Sequence, residues 1–440
     1  MSKDFPSSKM QRGKIIAKTG LKVGSNYAKY YAERTLSGKK KEEAKKKLDA
    51  ANAKDVYKEL TKLRGTALKL AQGLSMDTGF LPEEFVDMMS NAQYRVPPMN
   101  KALVRTNVKR ELGKYPEQLF KSFNLEAIAA ASIGQVHEAI TKDGRKVAVK
   151  LQYPDIRNTI KSDLAIAKTI MKRMVSGQNI DVYFNEVHDK LLEETDYLLE
   201  GKQMEFFSGL FADERIVTPE LVPELTTSRV LTMSFLEGVH LDKFLESNPS
   251  QEEKNHFGQL MWDWYHHQIA NEQYTIHADI HPGNFIFQPD GKLGIIDFGC
   301  VKTFPPEFLH LFIKMIPAHL SGDEQKILEL YYGTEILHPS EAGTEAHDVF
   351  FKFSKDFGGI ILRPYQNDSF DFGDPQFKQD LNDQFKIAST FKEVRGSKHF
   401  VFLNKVVVGM YTLLMKLKPV LDMRYSFKVM EEAIDRYEVA

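Results

Sequence analysis

Cysteine is almost absent from this sequence of 440 residues, which contains only Cys300. One cysteine cannot form a disulfide within the chain, and such scarcity is typical of a reducing compartment. The longest apolar run near the C-terminus, Val406–Met415, has ten residues, whereas a membrane span needs about 20. The N-terminal residues also lack the apolar stretch of a secretory signal. These absences predict a cytoplasmic chain without a transmembrane helix.

A large net charge is also missing, since 59 Lys and Arg residues nearly balance 60 Asp and Glu residues. The balance is uneven along the chain, because residues 1–70 carry a net charge of +12 and the remainder carries −13. Residues 39–47 contain six lysines and predict a helix with one strongly basic face. This helix is either a solvated extension or a peripheral contact with an anionic membrane, which attracts each basic residue by roughly 1 kcal/mol. No aromatic residues interleave with the lysines, so a nucleic-acid partner is not expected.

The order of the predicted elements indicates an α+β fold with two lobes. Residues 1–100 predict a helical extension, residues 101–236 a lobe with a small sheet, and residues 237–440 a mostly helical lobe. The helices predicted in the first lobe are Lys101–Leu112, Asp155–Val175 and Val182–Leu210. The strands predicted there are Ala129–Ala139, Lys146–Gln152 and Arg229–Phe235.

The segment from Ile276 to Gly299 contains three oxygen-bearing side chains in a suggestive spacing. Asp279 and Asn284 are separated by four residues, as in the catalytic loop of protein kinases, where the Asp orients the nucleophile and the Asn binds Mg²⁺. Asp297 follows the apolar strand predicted at Leu293–Ile296 and begins an Asp-Phe-Gly motif. Carboxylate and amide oxygens are ligands that Mg²⁺ prefers. The segment therefore predicts a site for a metal and a phosphate.

A zinc site is the alternative for the same segment, because His277, Asp279 and His281 have a spacing that zinc ligands can adopt. No further matched ligand set accompanies these three residues. We therefore predict that His277 holds the loop by hydrogen bonds instead.

Three features upstream complete a kinase-like order of motifs. Ala129–Val136 has the spacing of a glycine-rich phosphate loop, with alanine at two of the glycine positions. Lys150 ends a Val-Ala-Val-Lys motif within the strand predicted at Lys146–Gln152, and Glu194 lies in an acidic helix. Alone, these features are also typical of a core turn, a snorkelling surface lysine and an exposed acidic face. Together, and in this order, they predict binding of ATP and Mg²⁺.

At this level of detail the sequence resembles the UbiB/AarF family of atypical, protein-kinase-like proteins. The resemblance covers roughly residues 55–420. It includes the alanine-rich loop, an ExD motif at Glu194–Asp196, and the loop IHADIHPGNF. It also includes a helix that carries the family's KxGQ motif, here Lys69-Leu70-Ala71-Gln72, with alanine in place of glycine. The resemblance implies a bilobal protein-kinase-like fold with an N-terminal helical extension.

The resemblance also implies a role for each matching residue. Asp279 occupies the position of the catalytic base, Asn284 and Asp297 hold Mg²⁺, and Glu194 pairs with Lys150 or Lys69. Lys69 and Gln72 reach into the cleft from the extension, which covers the protein-substrate site and favours ATPase or small-molecule chemistry. The implied nucleotide-binding positions are Ala129, Ala130, Ala131, Ser132, Gly134, Val136, Ala148, Lys150, Met233 and Phe235. The backbone around Met233–Leu236 is the implied adenine-binding hinge.

Three functions compete at this stage. The first is an ATPase or atypical kinase that supports isoprenoid-quinone or membrane-lipid metabolism. The second is a pseudokinase that senses ATP or a lipid and regulates a partner. The third is a kinase that phosphorylates a protein or a small molecule. The complete set of kinase-like residues favours the two enzymes, and the altered KxGQ motif favours the pseudokinase.

Overall fold

The structure, a computed structural model, describes most of the chain beyond residue 97. The described residues are 98–439 apart from 131–132, 155, 172–187, 190, 212, 389 and 392–395, together with residues 25 and 48. The predicted helical extension lies almost wholly outside this part of the chain. So do four of the predicted site residues, Lys69, Gln72, Ala131 and Ser132.

The chain divides into two compact units. The first contains residues 1–199 and 221–235, and the second contains residues 200–220 and 236–440. Residues 200–220, which the sequence assigns to the first lobe, thus group with the second unit. Sheet and helix occur in both units, which confirms the predicted α+β class.

Five antiparallel strands form the sheet of the first unit, in the order β1-β3-β4-β6, with β2 paired to β3. Their bounds are β1 Phe120–Phe123, β2 Ala129–Ala130, β3 Gly134–Thr141, β4 Lys146–Gln152 and β6 Val230–Ser234. All of β4 except its first residue is buried, and β3 and β6 pair with its two edges. This strand, which has the predicted bounds, therefore lies inside the sheet.

The single strand predicted at Ala129–Ala139 was wrong, because this region forms a hairpin. Ala129 pairs with Val136 and Ala130 pairs with Gln135, so the chain reverses between β2 and β3. Alanine fits a strand and a turn about equally, and neither Pro nor Asn marks the reversal. The hydrophobic pattern therefore gave no sign of it.

Among the described residues of the first unit, the helices with assigned bounds are α1 Lys101–Leu112, α2 Pro116–Leu119 and α3 Ile156–Met171. The bounds of α1 were predicted, and local capping explains them. The Asn100 side chain accepts a hydrogen bond from Leu103 N at 2.9 Å, which satisfies an amide at the start of the helix. Gly113, with a φ of 78°, ends it in the left-handed conformation that glycine adopts easily.

The continuous helix predicted at Val182–Leu210 was also wrong. Residues 191–194 are helical, the helix breaks at Thr195 and Asp196, and α4 then covers Tyr197–Leu210. At the break, Tyr197 N donates to Ser228 O at 3.1 Å instead of to a helical carbonyl. The Asp196 carboxylate accepts from Leu198 N at 3.1 Å and so caps the new helix.

The second unit is mainly helical and contains four short sheet pairings. Its helices are α5 Leu241–Glu246, α6 Gln251–Ile269, α7 Pro306–Ser321, α8 Glu324–Gly333, α9 Glu345–Ile361, α10 Pro375–Ala388, α11 Lys398–Leu417 and α12 Arg424–Val439. Its strands are β5 Ile216–Val217, β7 Thr275–His277, β8 Phe285–Phe287, β9 Leu293–Ile295, β10 Val301–Thr303, β11 Ser369–Asp371 and β12 Val420–Asp422. β9 pairs with β5 and β8, β7 with β10, and β11 with β12.

Helix α6 lies in the core of the second unit. Trp262 and Trp264, the only tryptophans of the chain, are both fully buried on it. Trp264 packs edge-to-face on Phe285 of β8, with 5.5 Å between the ring centres. Across the described part of the chain, no helix is both long enough and apolar enough to cross a membrane.

Candidate functional site

The predicted site residues that the structure describes form two groups, one in each unit, and each group is described by itself. The first group is built on β4. Lys150 is only 5% exposed and lies opposite Val136 on β3 and Leu231 on β6. Its Nζ lies 5.2 Å from the centre of the Tyr197 ring, within the range of a cation–π contact. Burial at this depth is unusual for lysine and requires compensation by polar or charged neighbours.

Glu194 brings a second buried charge to the same unit, since it is also 5% exposed. It ends the helical turn just before the break at Thr195. Gln152, the last residue of β4, donates from Nε2 to Thr195 O at 2.8 Å. The strand that carries Lys150 therefore also anchors the turn that carries Glu194. A buried carboxylate, like a buried lysine, needs polar or charged neighbours to offset the loss of water.

The structure gives a reason for glycine at position 134 that differs from the predicted contact with a phosphate. An added Cβ would collide with Leu151 O on the neighbouring strand and would lie 3.0 Å from Tyr197 Oη. The close approach of β3 to β4 therefore excludes a side chain here, whether or not a phosphate binds. Of the other alanine-rich loop positions, Ala129 and Ala130 are exposed on β2.

The predicted adenine-binding positions lie on and after β6. Met233 pairs with Ala148 of β4, and both side chains are buried. Phe235 N donates to Lys146 O at 3.1 Å, and Lys146 Nζ lies 4.0 Å from the centre of the Phe235 ring. The first unit ends at Phe235 and the second resumes at Leu236, so the predicted hinge spans the boundary between the units in the chain.

The second group comprises Asp279, Asn284 and Asp297, and hydrogen bonds bring all three together in the second unit. Asn284 Nδ2 donates to Asp279 O at 2.8 Å. The backbone of Asn284 also accepts from Ile296 N at 2.9 Å, immediately before Asp297. Asn284 is buried, whereas Asp279 and Asp297 are partly exposed. The loop and the Asp-Phe-Gly motif are therefore joined through one buried asparagine.

His277 joins the same two segments, which agrees with the prediction that it holds the loop by hydrogen bonds. Its Nε2 lies 2.8 Å from Asp297 O, and its Nδ1 accepts from Asp279 N at 3.4 Å. A carbonyl can only accept and a peptide N–H can only donate, so the proton must be on Nε2. Complete burial keeps the pKa of His277 below its ordinary value of 6.5, which favours this neutral form.

The donor atoms of the second group suit Mg²⁺. Because the Asn284 amide nitrogen is used within the loop, the amide oxygen is the atom that can bind a metal. Asp297 adopts a left-handed backbone with a φ of 65°, and one of its carboxylate oxygens accepts from Gly299 N at 3.2 Å. Hard oxygen ligands from a carboxylate and an amide are those Mg²⁺ selects. In the part of the chain that the structure describes, no three His, Cys, Asp or Glu side chains are grouped closely enough to hold a metal ion together.

Sequence reasoning missed two residues that support these groups. Tyr197 contacts both Lys150 and the position of Gly134, although the sequence pattern assigned it only to a long helix. Gln268 accepts a hydrogen bond from His277 N at 2.8 Å through its Oε1. Its place near the end of a buried helix was the only available signal.

Comparison with known proteins identifies the fold. The model of the ABC1 atypical kinase-like domain matches residues 91–331, which are 241 of the 440 residues. This match confirms both the kinase-like fold and the predicted family resemblance. The solved structure of Rv3197 from Mycobacterium tuberculosis, a complex with erythromycin, is also similar. It has a TM-score of 0.62 and 25% identity, and the match covers 90% of this chain and 98% of that one.

Curated relatives carry kinase names. The probable serine/threonine-protein kinase abkA of Dictyostelium discoideum is 30% identical over 353 residues, which are 74% of this chain and 61% of that protein. The mitochondrial atypical kinase COQ8 of Saccharomyces cerevisiae is 28% identical over 384 residues, 85% of this chain and 75% of that protein. The chain thus spans less than two thirds of abkA, whose remaining length has no counterpart in the match.

Proposed function

The chain belongs to the ABC1 atypical kinase-like family, and we propose that it catalyses Mg²⁺-dependent phosphoryl transfer from ATP. The acceptor is water or a small molecule, and the activity supports isoprenoid-quinone or membrane-lipid metabolism. The kinase names of its relatives support the reaction class, and the UbiB/AarF resemblance supports the metabolic setting.

The observation that carries the proposal is the hydrogen-bonded assembly of Asp279, Asn284 and Asp297. Asn284 Nδ2 donates to Asp279 O, and the Asn284 carbonyl accepts from Ile296 N immediately before Asp297. The His277 side chain bonds Asp297 O as well, so these contacts hold the two segments together while Asp279 and Asp297 stay partly exposed. Two carboxylates and an amide oxygen on segments joined in this way suit Mg²⁺.

In the proposed reaction each residue has one task. Asn284 and Asp297 hold Mg²⁺, which when bound neutralises charge on the phosphate oxygens. Lys150 binds phosphate oxygens of the nucleotide. An oxygen of the acceptor attacks the γ-phosphorus, the bond from that phosphorus to the bridging oxygen breaks, and ADP leaves. Asp279 accepts the proton that the attacking hydroxyl or water loses.

The first experiment is a thermal-shift titration with ATP and ADP, with and without Mg²⁺, on the wild type and Asp297→Asn. Ligand at 100 times its dissociation constant should stabilise the protein by about 2.7 kcal/mol. We expect a Mg²⁺-dependent shift in the wild type and its loss in the variant. Asp290→Asn, which changes an exposed loop carboxylate of the same segment, is the control and should behave as the wild type.

The next experiment measures ADP release and phosphate transfer from labelled ATP. Hydrolysis without an acceptor indicates an ATPase, and label on an added quinone precursor or lipid indicates a small-molecule kinase. A wild-type protein that shows no nucleotide shift and no turnover would contradict the proposal and favour a binding role without chemistry.

A further inference from the structure

The segment formed by residues 277–284, here named the catalytic loop, contacts two long helices of the second unit. Helix α6 contacts it at His277, and helix α11 contacts it at Ile280. These two residues flank Ala278 and Asp279 in the sequence. Both contacts therefore act on the short stretch of backbone that carries the proposed proton acceptor.

The contact from α6 is the hydrogen bond that Gln268 Oε1 accepts from His277 N at 2.8 Å. Gln268 is fully buried, and its Nε2 has no hydrogen-bond partner among the described residues. Leaving a buried donor unsatisfied is unfavourable. The Gln268 amide is thus oriented with its oxygen towards the backbone of the catalytic loop, and its nitrogen is left without a hydrogen bond within the described part of the chain.

The contact from α11 is steric. Gly409 lies so close to the loop that an added Cβ would be 3.0 Å from Ile280 Cβ and 3.1 Å from Ile280 O. Carbon atoms normally pack at about 3.5–4.0 Å, so a methyl group here would have to push the loop away. Ile280 is buried, with 8% of its surface exposed, and cannot move outward without disturbing its neighbours.

We propose that Gln268 and Gly409 are positioning residues for catalysis, which set the place of Asp279 by a hydrogen bond on one side and by close packing on the other. This inference rests on the proposed phosphoryl transfer. Neither residue contacts the nucleotide in this proposal. Their effect therefore falls on the chemical step, and a small displacement of a reacting group can lower a rate up to about a hundredfold.

The test compares two glycine-to-alanine substitutions within helices. Gly409→Ala adds a methyl group against the catalytic loop, whereas Gly359→Ala in α9 adds one with no atom within 4 Å. Both substitutions raise the helix propensity of their position, so any stabilisation from that source is expected in both variants. We expect Gly409→Ala to lower kcat about tenfold with the KM for ATP unchanged, and Gly359→Ala to keep both constants.

Gln268 is tested by a second pair of variants. Gln268→Met removes the acceptor at similar volume and should lower kcat, whereas Gln268→Glu retains an oxygen and should restore part of it. Hydrogen–deuterium exchange gives a readout that does not depend on turnover. Exchange in peptides containing residues 277–284 should rise in Gln268→Met and Gly409→Ala and remain unchanged in Gly359→Ala.

The outcomes separate the two proposals. If the wild type turns over ATP, and Gly409→Ala and Gln268→Met keep its kcat and its exchange pattern, the positioning role is wrong. If the wild type has no turnover but the two variants loosen the loop, the proposed function fails and the structural part of the inference stands. Should Gln268→Met not fold, Gly409→Ala alone decides the question.

Discussion

The two groups of predicted site residues, one in each unit, handle charge in opposite ways. In the first unit, Lys150 and Glu194 are each 5% exposed, and both charges are buried. In the second unit, Asp279 and Asp297 remain partly exposed, and the side chains of His277 and Asn284 bond the backbone of the segments that carry them. Stability and site chemistry should therefore be coupled in the first unit and separable in the second.

The largest effect that tests this separation is expected from Asp279→Asn. The loop bonds of Asp279 that involve its backbone N and O are kept, while the proton acceptor is lost. Turnover should fall by about 100-fold or more, with little change in melting temperature or nucleotide affinity. Steady-state rates and thermal unfolding measure the two quantities, with Asp290→Asn as the exposed control. A melting temperature that fell together with the rate would contradict the separation.

The next largest effect is expected from Lys150→Met, because the UbiB/AarF resemblance implies that Lys150 pairs with Glu194, and the variant would leave Glu194 as a buried carboxylate without that cation. Removing one partner of a buried ion pair typically destabilises a protein by about 3–5 kcal/mol. We expect a loss of this order in urea unfolding, together with loss of turnover. The double variant Lys150→Met/Glu194→Gln should regain much of the stability and none of the turnover. Losses that simply add in the double variant would show that the two residues do not interact.

A smaller effect is expected from Gly134→Ala, because the new Cβ collides with Leu151 O between two strands. Overpacking of this kind costs about 1–3 kcal/mol. The loss should be present without any nucleotide, since it arises within the sheet. Gly359→Ala supplies the control in open space, and equal unfolding free energies for the two variants would contradict the steric explanation.

The smallest effect is expected from Asp263 on α6, because burial changes the pKa of this single carboxyl group. Burial raises its pKa from 3.8 to about 6, although Gln259 and Arg215 act in the opposite direction. Below pH 3.8 Asp263 is protonated in both the folded and the unfolded protein, so the free-energy penalty of burying its charge is absent. Between pH 3.8 and 6 stability falls as pH rises, and above pH 6 the penalty is complete.

Asp263→Asn should therefore be more stable than the wild type at pH 7. We expect a gain of about 1–2 kcal/mol, allowing for partial solvent screening, and a gain that shrinks as the pH is lowered towards 4. Urea unfolding at pH 7, 5.5 and 4 measures it. A gain that is the same at all three values would mean that ionisation of Asp263 is not the cause.

Much of this architecture was accessible from the sequence where local signals are strong. Helix α1 was predicted at its observed bounds, and the structure shows that Asn100 and Gly113 fix those bounds locally. Strand β4 was predicted from the run KVAVKLQ, which contains Lys150. The spacing of Asp279, Asn284 and Asp297 predicted a site at which these residues do meet. Their roles in catalysis remain predictions.

Other features depend on contacts that are distant in the sequence. The break at Thr195 is fixed by Ser228 and Gln152, which lie 31 or more residues away along the chain. The hairpin at Ala129 has neither Pro nor Asn at its turn, and Gln268 acquires its place only when α6 packs against β7. No periodicity records such contacts, so sequence patterns alone could not reveal them.

The burial of both tryptophans on α6 has a practical consequence. Trp264 lies against His277, with 5.6 Å between the ring centres. Trp262 packs in tilted contacts with the rings of Tyr365 and Tyr411. Intrinsic tryptophan fluorescence of the whole chain therefore originates within one turn of one helix in the second unit. The emission spectrum is a built-in optical reporter for that unit, and melting of the first unit can be followed separately by circular dichroism.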